Sequence, residues 1–366
     1  MIQKTVLAAS VWATQMTRLQ IAASIWLALL VAVVAVPVQA KCELGRVARL
    51  PVTMEGLRAS VPVTVNGTPT QFWLDSGAFF SIMPKARADA LGLPLRAPPE
   101  GLFIIGFGGS ADVRVATIRS FGIAGATLNN VEFLVGGSDS GNGFIGLNLL
   151  GVYDTDYDLA NGTVDLMRAK GCGDANLAHW AGDKPVTVID LVPGNSATFN
   201  HIYGRGQING KDVRLVFDTG ASATVLTRGA AERLGIDLSA PGVIASAEMG
   251  GVGRKSHQSW IVKLATFSIG GEEIRNTPIR VVDGAVAGLQ ADVILGADFF
   301  LAHHIFVVRS QKRIYLTYNG GPVFSLTTDG ETGKAVTRAE NMVGDETTAA
   351  PEDAAGFARR GAAGAW

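Results

Sequence analysis

Short apolar stretches alternate with polar turns along most of the chain. An alternating stretch from Ser60 to Val65 runs into Asn66-Gly67, and the returning stretch from Gln71 to Leu74 ends on Asp75. Alternation of period two around an Asn-Gly pair is typical of a β-hairpin. The same order of strand, turn, strand and acid returns later, at Tyr203 to Ile208, Asn209-Gly210, Val213 to Phe217 and Asp218. We therefore predict two hairpins that each end on an acid.

The pattern after each acid predicts a matching series of short elements. These are strands over Phe80 to Met83, Thr224 to Thr227, Val131 to Val135 and Pro278 to Val282, helical turns that end at Leu91-Gly92 and Leu234-Gly235, and short helices over Leu147 to Leu150 and Ala297 to Leu301. Glycine suits the residue that ends a helix. Each series therefore predicts the same mixture of many strands and few helical turns.

The two series form a long internal repeat. Asp75 and Asp218 are 143 residues apart, and Phe144-Ile145-Gly146 and Ile294-Leu295-Gly296 are related by an offset of 150. Two long units in one chain predict two similar lobes that pair like the subunits of a dimer. We expect an all-β, bilobal fold in which the two acids meet between the lobes.

A glycine-rich segment follows the acid in each series. The two segments comprise Ile105, Gly106, Phe107, Gly108 and Gly109 in the first series, and Gly250, Gly251, Val252 and Gly253 in the second. Each lies between apolar strands, so we expect each to be the mobile tip of a hairpin. A plain surface turn is the alternative interpretation.

The acid-bearing loops carry the candidate chemistry. A carboxylate at the end of a buried strand is costly unless hydrogen bonds or function retain it. We expect Asp75 and Asp218 to be catalytic. The residues expected to support the two loops are Ser76, Gly77, Ala78, Thr219, Gly220 and Ala221. The hydroxyl groups would fix the loops, and the glycines would let backbone N–H groups approach the carboxylates.

Composition and charge exclude several classes of protein. Among 366 residues, 45 are glycine, which suits an all-β chain with many turns, and the formal net charge is −1. There is no basic run that would indicate a nucleic-acid partner. Five histidines and two cysteines, without ligand spacing, predict no metal site and no cofactor.

The ends of the chain differ from its body. The stretch from Leu19 to Ala40 has no charged residue, and Val38-Gln39-Ala40 offers small residues where an export peptidase cleaves. It indicates a signal peptide, with an uncleaved anchor as the alternative, so we expect an exported, periplasmic or secreted protein. The predicted boundaries are 1–40 for the leader, 41–172 for the first lobe, 173–185 for a linker, 186–326 for the second lobe and 327–366 for a disordered tail.

These motifs resemble those of the pepsin/retropepsin superfamily of aspartic proteases. The resemblance rests on both acid motifs, both glycine-rich segments and both apolar-apolar-glycine motifs, and it covers roughly residues 45–325. Alanine after Gly77 and Gly220 is more similar to retropepsin-type halves than to pepsin lobes. The resemblance implies glycine-rich flaps over a cleft between two β lobes. The chain departs from the pepsin branch because neither flap carries a tyrosine, and Asn148 stands where the second half has Asp298.

The resemblance implies an aspartic endopeptidase that acts on peptides or proteins and uses both glycine-rich segments as substrate-binding flaps. The leader predicts export, and the two halves in one chain predict a monomer. Two alternatives stay open: a catalytically silent protein that binds peptides or envelope material in the same cleft, and a structural envelope protein with incidental acids. The termini of a retropepsin-like half lie close together, which would permit a disulfide between Cys42 and Cys172 in an exported protein. Two free thiols are the other possibility.

Overall fold

The computed structural model describes residues 41–137, 142–194, 201–253, 255–284, 289–324 and 326. The first half of the chain forms strands β1 Glu43–Pro51, β2 Thr53–Glu55, β3 Arg58–Val65, β4 Thr68–Leu74, β5 Ile82–Met83, β6 Leu95–Arg96, β7 Ile104–Gly106, β8 Gly109–Ala111, β9 Val113–Ile123, β10 Ala126–Gly136, β11 Phe144–Ile145, β12 Asp154–Asp158 and β13 Thr163–Lys170. The second half forms β14 Thr187–Asp190, β15 Tyr203–Ile208, β16 Lys211–Phe217, β17 Val225–Thr227, β18 Ile244–Met249, β19 His257–Ile269, β20 Glu272–Val282, β21 Val293–Leu295, β22 His303–Val308 and β23 Arg313–Tyr318. The described helices are α1 Lys85–Ala90, α2 Leu147–Leu150, α3 Arg228–Leu234 and α4 Ala297–Ala302, with a 3-10 turn over Leu159–Asn161.

The internal repeat predicted from the sequence is present as two matching sheets. In the first, the strand order is β2-β3-β4-β11-β5-β10-β9-β6, and β3 also pairs with β9. In the second, it is β15-β16-β21-β17-β20-β19-β18, and β15 also pairs with β19. Strands β3, β4, β11, β5, β10 and β9 thus correspond to β15, β16, β21, β17, β20 and β19. The predicted all-β, bilobal fold is confirmed.

Local sequence explains the hairpin that leads to each acid. Asn66 and Gly67 have φ values of 49° and 87°, and Asn209 and Gly210 have values of 50° and 74°. Positive φ at both central residues defines the tight turn that suits the twist of a hairpin. Along β4 the burial alternates, and its last residue, Leu74, is fully buried. The acid therefore follows a strand end that is fixed in the core.

A third sheet joins the halves and was not predicted. Its order is β1-β13-β12-β22-β23-β14, so each half supplies three of its six strands. The central pair is β12 with β22, antiparallel, where Tyr157 lies opposite Ile305. Because the two halves pair directly through this sheet, their mutual orientation does not depend on a flexible connection.

The segment predicted as a linker packs against this shared sheet. Leu177 is buried, and the indole of Trp180 stacks on the ring of His304 with 4.1 Å between centroids. Trp180 Nε1 donates a hydrogen bond to Thr317 Oγ1 at 2.8 Å. Residues 173–185 therefore connect the halves as part of the folded body, with their own small hydrophobic cluster around Leu177 and Phe306.

Both cysteines are disulfide-bonded, and the chain has only Cys42 and Cys172.

The helices in the part of the chain that the structure describes fall short of the length and apolarity that crossing a membrane needs. The predicted leader, 1–40, and the predicted tail, 327–366, lie outside the described residues.

Candidate active site

Each acid is held at its strand end by the same backbone arrangement. Strand β11 lies between β4 and β5, and the Asp75 N–H donates to the Ile145 carbonyl oxygen at 3.0 Å. In the second half β21 lies between β16 and β17, and the Asp218 N–H donates to the Leu295 carbonyl oxygen at 2.9 Å. The apolar-apolar-glycine motif thus packs directly beside the acid loop in each half.

Backbone N–H groups orient each carboxylate. Gly77 N and Ala78 N donate to Asp75 Oδ1 at 3.0 and 2.8 Å. In the second half, the corresponding donors to Asp218 Oδ1 are Gly220 N at 2.8 Å and Ala221 N at 3.3 Å. One oxygen of each carboxyl is therefore fixed by its own loop, and the other is left for the partner carboxyl or for a ligand.

The hydroxyl groups that follow the acids fix the loop of the opposite half. Ser76 Oγ donates to the Phe217 carbonyl oxygen at 2.8 Å and accepts from Thr219 N at 3.0 Å. Thr219 Oγ1 donates to the Leu74 carbonyl oxygen and accepts from Ser76 N, both at 3.0 Å. Both side chains are buried. The sequence analysis predicted that these hydroxyls stabilise the loops, but not that each one bonds to the loop of the opposite half.

The glycines let the two loops approach each other. A Cβ added to Gly77 would lie 2.2 Å from Asp218 Cγ, and one added to Gly220 would lie 2.3 Å from Asp75 Cγ. Real Cβ atoms do not approach that closely, so no side chain fits at either position. Glycine therefore allows each loop to lie against the carboxyl group of the other half.

The two carboxyl groups interact directly where the two acid loops meet. Burial raises the pKa of Asp75 well above its ordinary value, and the neighbouring Asp218 carboxyl raises it further. Burial also raises the pKa of Asp218, although hydrogen bonds from Gly220 N and from Asp75 lower it. Two such carboxyls retain one proton between them and titrate as a unit. The pair thus offers one proton donor and one proton acceptor.

Two basic residues at the site were missed by the sequence analysis. Arg58 Nη1 donates to the Gly220 carbonyl oxygen at 3.3 Å, and His201 Nε2 lies 3.0 Å from the Gly77 carbonyl oxygen. Burial lowers the pKa of His201, although Gly77 and Asp218 oppose this. The two residues are 143 positions apart, the offset of the acids themselves. That offset was the signal that could have found them.

A second pair of polar residues locks the strand that follows each acid. Asn148 Oδ1 accepts from Ser81 N at 3.0 Å and from Ser81 Oγ at 2.8 Å. Asp298 Oδ1 accepts from Thr224 N at 2.9 Å and from Thr224 Oγ1 at 2.7 Å. The difference between Asn148 and Asp298 therefore leaves the same hydrogen-bond pattern in both halves.

The glycine-rich segments meet over the site. β7 and β8 form a hairpin whose tip is Phe107-Gly108, and the second tip follows β18. Gly108 N donates to the Val252 carbonyl oxygen at 2.8 Å, and Lys255 N donates to the Gly108 carbonyl oxygen at 3.0 Å. A Cβ on Gly253 would lie 2.2 Å from Gly108 C. The tips thus pair through their backbones, which closes the cleft from above.

His257 links the first tip to the second half. Its Nε2 lies 2.8 Å from the Phe107 carbonyl oxygen, and its Nδ1 lies 2.6 Å from the Asp283 carbonyl oxygen. Its ring meets the Phe107 ring edge to face at 4.8 Å. The sequence analysis did not single out this residue.

A half-open cavity of about 710 Å³ lies between the two carboxyls and the paired tips. Asp75 and Asp218 lie on its floor, and members of both glycine-rich segments line its roof. The predicted residues that line it are Gly77, Ala78, Gly220, Ala221, Ile105, Gly106, Phe107, Gly250, Gly251 and Val252. The structure therefore brings the two predicted acids together with both predicted tips.

No cluster of three or more residues suited to hold a metal ion occurs in the described part of the chain.

Two like β halves, each of which supplies one carboxyl to a shared floor, define the class of aspartic proteases.

Comparisons with known proteins identify the family. A model of the aspartyl protease family matches the chain twice, over residues 61–149 and 205–299. The two segments together span half of the chain, and the protein therefore belongs to the aspartyl protease family. Among solved structures, the chain is similar to the aspartic proteinase from Irpex lacteus, with 15% identity, a TM-score of 0.45, and coverage of 75% of this chain and 97% of that one. A comparison with curated proteins gave no match.

Proposed function

We propose that the protein is an endopeptidase that hydrolyses peptide bonds with water activated between Asp75 and Asp218. The observation that carries the proposal is the pair of interacting carboxyls, one from each half, on the floor of the cleft. A pair that holds one proton can act as base and acid in the same step.

In this mechanism the ionised carboxyl accepts a proton from water while the protonated one donates a hydrogen bond to the carbonyl oxygen of the substrate. The oxygen of that water adds to the carbonyl carbon. The proton then passes to the leaving nitrogen as the C–N bond breaks. The backbone donors to Asp75 and Asp218 keep both carboxyls in place throughout, which limits the reorganisation that the reaction requires.

The two paired tips support a peptide as the substrate. Their backbone groups lie above the carboxyls, where an extended chain would add strand-like hydrogen bonds. Opening of the Gly108–Val252 contact would admit the peptide, and closure over it would exclude water from the reacting bond.

We further propose that the protein acts outside the cytoplasm as a monomer. The apolar segment before Ala40 supports export, and the bonded cysteines fit an oxidising compartment. The presence of two acid-bearing halves in one chain supports a single-chain site.

The test is hydrolysis of unfolded casein and of a fluorogenic peptide library by the full chain, across acid to neutral pH. We expect wild type to cleave and Asp218→Asn to be inactive while retaining its thermal unfolding profile. A folded wild type that binds peptides but cleaves none at any pH would support a silent binding protein instead.

A further inference from the structure

The two walls of the cleft have unlike side chains at positions that the repeat makes equivalent. Phe80 and Ile82 in the first half correspond, at the offset of 143, to Ala223 and Val225 in the second. At the offset of 150, the ring of Phe144 corresponds to Ile294. All of these residues line the cavity. We call Phe80, Ile82 and Phe144 its first wall, and Ala223, Val225 and Ile294 its second wall. The second wall therefore lacks two phenyl rings that the first wall has.

The rings of the first wall are partly exposed to the cavity. Phe80 meets Phe79 edge to face at 4.8 Å, and Phe144 lies 5.7 Å from Trp73 between ring centroids. All four rings have intermediate exposure, and Phe80 and Phe144 also pack on a buried cluster around Ile82. A half-covered aromatic surface in a cleft provides apolar area that a ligand would cover.

The second wall is already covered. Ala223, Val225 and Ile294 are buried, with exposed fractions of 2%, 4% and 6%. The side chain of Phe107, from the tip of the opposite half, packs on this wall together with Met249. On the first wall the residue that reaches across from the opposite tip is the smaller Val252. Phe107 therefore occupies space on the second side that stays open on the first.

An extended peptide turns successive side chains to opposite faces. If the scissile bond lies between Asp75 and Asp218, the residues that flank it are related by the approximate two-fold axis. One flanking side chain therefore meets the first wall, and the other meets the second. This step rests on the proposed function.

We propose that the cleft is selective for unequal flanking residues: a large apolar, preferentially aromatic side chain against Phe80 and Phe144, and a small one against Ala223 and Phe107. An aromatic side chain would pack edge to face on the exposed rings of the first wall. On the second wall a large side chain would have to displace Phe107.

The experiment uses the full chain and a random decapeptide library, with cleavage sites read by mass spectrometry. We expect wild type to favour phenylalanine, tyrosine or leucine on one side of the cut, and glycine, alanine or serine on the other. The double variant Phe80→Ala/Phe144→Ile gives the first wall the second wall's residues at both phenylalanine positions. It should reduce the aromatic preference about tenfold, the scale on which apolar pockets discriminate. Val188→Ala removes an exposed apolar side chain outside the cleft and serves as the control.

Phe107→Ala provides an independent variant at a residue of intermediate exposure. It should broaden the residues accepted on the small side and leave the aromatic preference unchanged. Equal preferences on both sides of the cut in wild type would overturn the proposal. It would also be overturned if folded Phe80→Ala/Phe144→Ile kept the full aromatic preference.

A binding experiment separates this proposal from the proposed function. Asp218→Asn keeps the walls, and we would identify the library peptides that it retains, with and without Phe80→Ala/Phe144→Ile. Enrichment of aromatic peptides that the double variant loses supports the selective cleft even if wild type cleaves nothing. Retention without any aromatic enrichment contradicts it, whether or not wild type is active.

Discussion

Gly77 of the first half lies directly against the carboxyl group of Asp218 from the second, where an added Cβ would be 2.2 Å from Asp218 Cγ. Because the neighbour is a carboxyl at the site itself, Gly77→Ala must push the two loops apart. We expect kcat/KM to fall by about 100-fold or more, since a displacement of ~1 Å is enough for such a loss. Gly229→Ala, on the open face of α3, is the control and should retain wild-type activity. Normal activity in Gly77→Ala would show that the carboxyls are farther apart in solution.

The hydrogen bonds that the Ser76 and Thr219 hydroxyls make to the opposite half should stabilise the fold as well as position the acid loops. Ser76→Ala leaves Thr219 N without its acceptor and the Phe217 carbonyl oxygen without its donor, both in a buried interface. We expect the free energy of unfolding to drop by about 1–3 kcal/mol, the cost of an unsatisfied buried polar group. Urea denaturation measures this. Thr219→Ser retains the hydroxyl and should lose far less. Equal losses in the two variants would argue against the hydrogen bonds as the cause.

His257 should control how well the cleft closes over substrate. Without the imidazole, the tip of the first flap loses its hydrogen bond to the second half at Phe107. We expect His257→Ala to raise KM several-fold while kcat changes less, because the residue lies outside the floor. His257→Gln, which can donate one hydrogen bond, should recover part of the loss. A fall in kcat alone, with KM unchanged, would contradict a role in closure.

Stability should depend on pH through Asp156 in the shared sheet. Its carboxylate contacts His304 Nε2 at 2.5 Å and His179 Nε2 at 3.2 Å. Burial alone would raise the pKa of Asp156, but the two histidines outweigh it and the pKa is lowered. A lowered pKa adds stability above the unfolded-state value, about 3.9, and this contribution is lost as the pH falls through the folded-state value.

Asp156→Asn should therefore lower the free energy of unfolding above about pH 5, and the difference from wild type should shrink as the pH approaches about 2. Asp174→Asn is the matched control, because its carboxylate also pairs with a basic side chain, that of Arg313, but is itself 91% exposed. Urea titrations at several pH values provide the comparison. A deficit in Asp156→Asn that grows on acidification would refute this assignment.

The hairpins, the acid loops and the short helices could be predicted from the sequence. Alternation around Asn66-Gly67 and Asn209-Gly210 located both hairpins, and the repeated acid motif at the strand ends located both acids. The predicted helix over Leu147–Leu150 has those bounds, and the one predicted to end at Leu301 extends to Ala302. These features depend on residues close together in the chain, where turn and strand preferences act directly.

Pairings between distant segments could not be predicted in the same way. Strands β12 and β22 are adjacent in the shared sheet, although Tyr157 and Ile305 lie far apart in sequence. Arg58 and His201 reach the opposite half, so neither has a local motif beyond the repeat offset. The contact of Gly108 with Val252 likewise requires both halves to be in place.

The most direct test of the central claim is kcat/KM for Asp75→Asn, Asp218→Asn and the double variant on one peptide substrate. If the two carboxyls act as one unit, each single variant abolishes cleavage and the double variant is little worse than either. Wild-type activity should also be bell-shaped in pH, rising as one carboxyl ionises and falling as the shared proton is lost. Peptidase activity of normal size in either folded single variant would contradict the account.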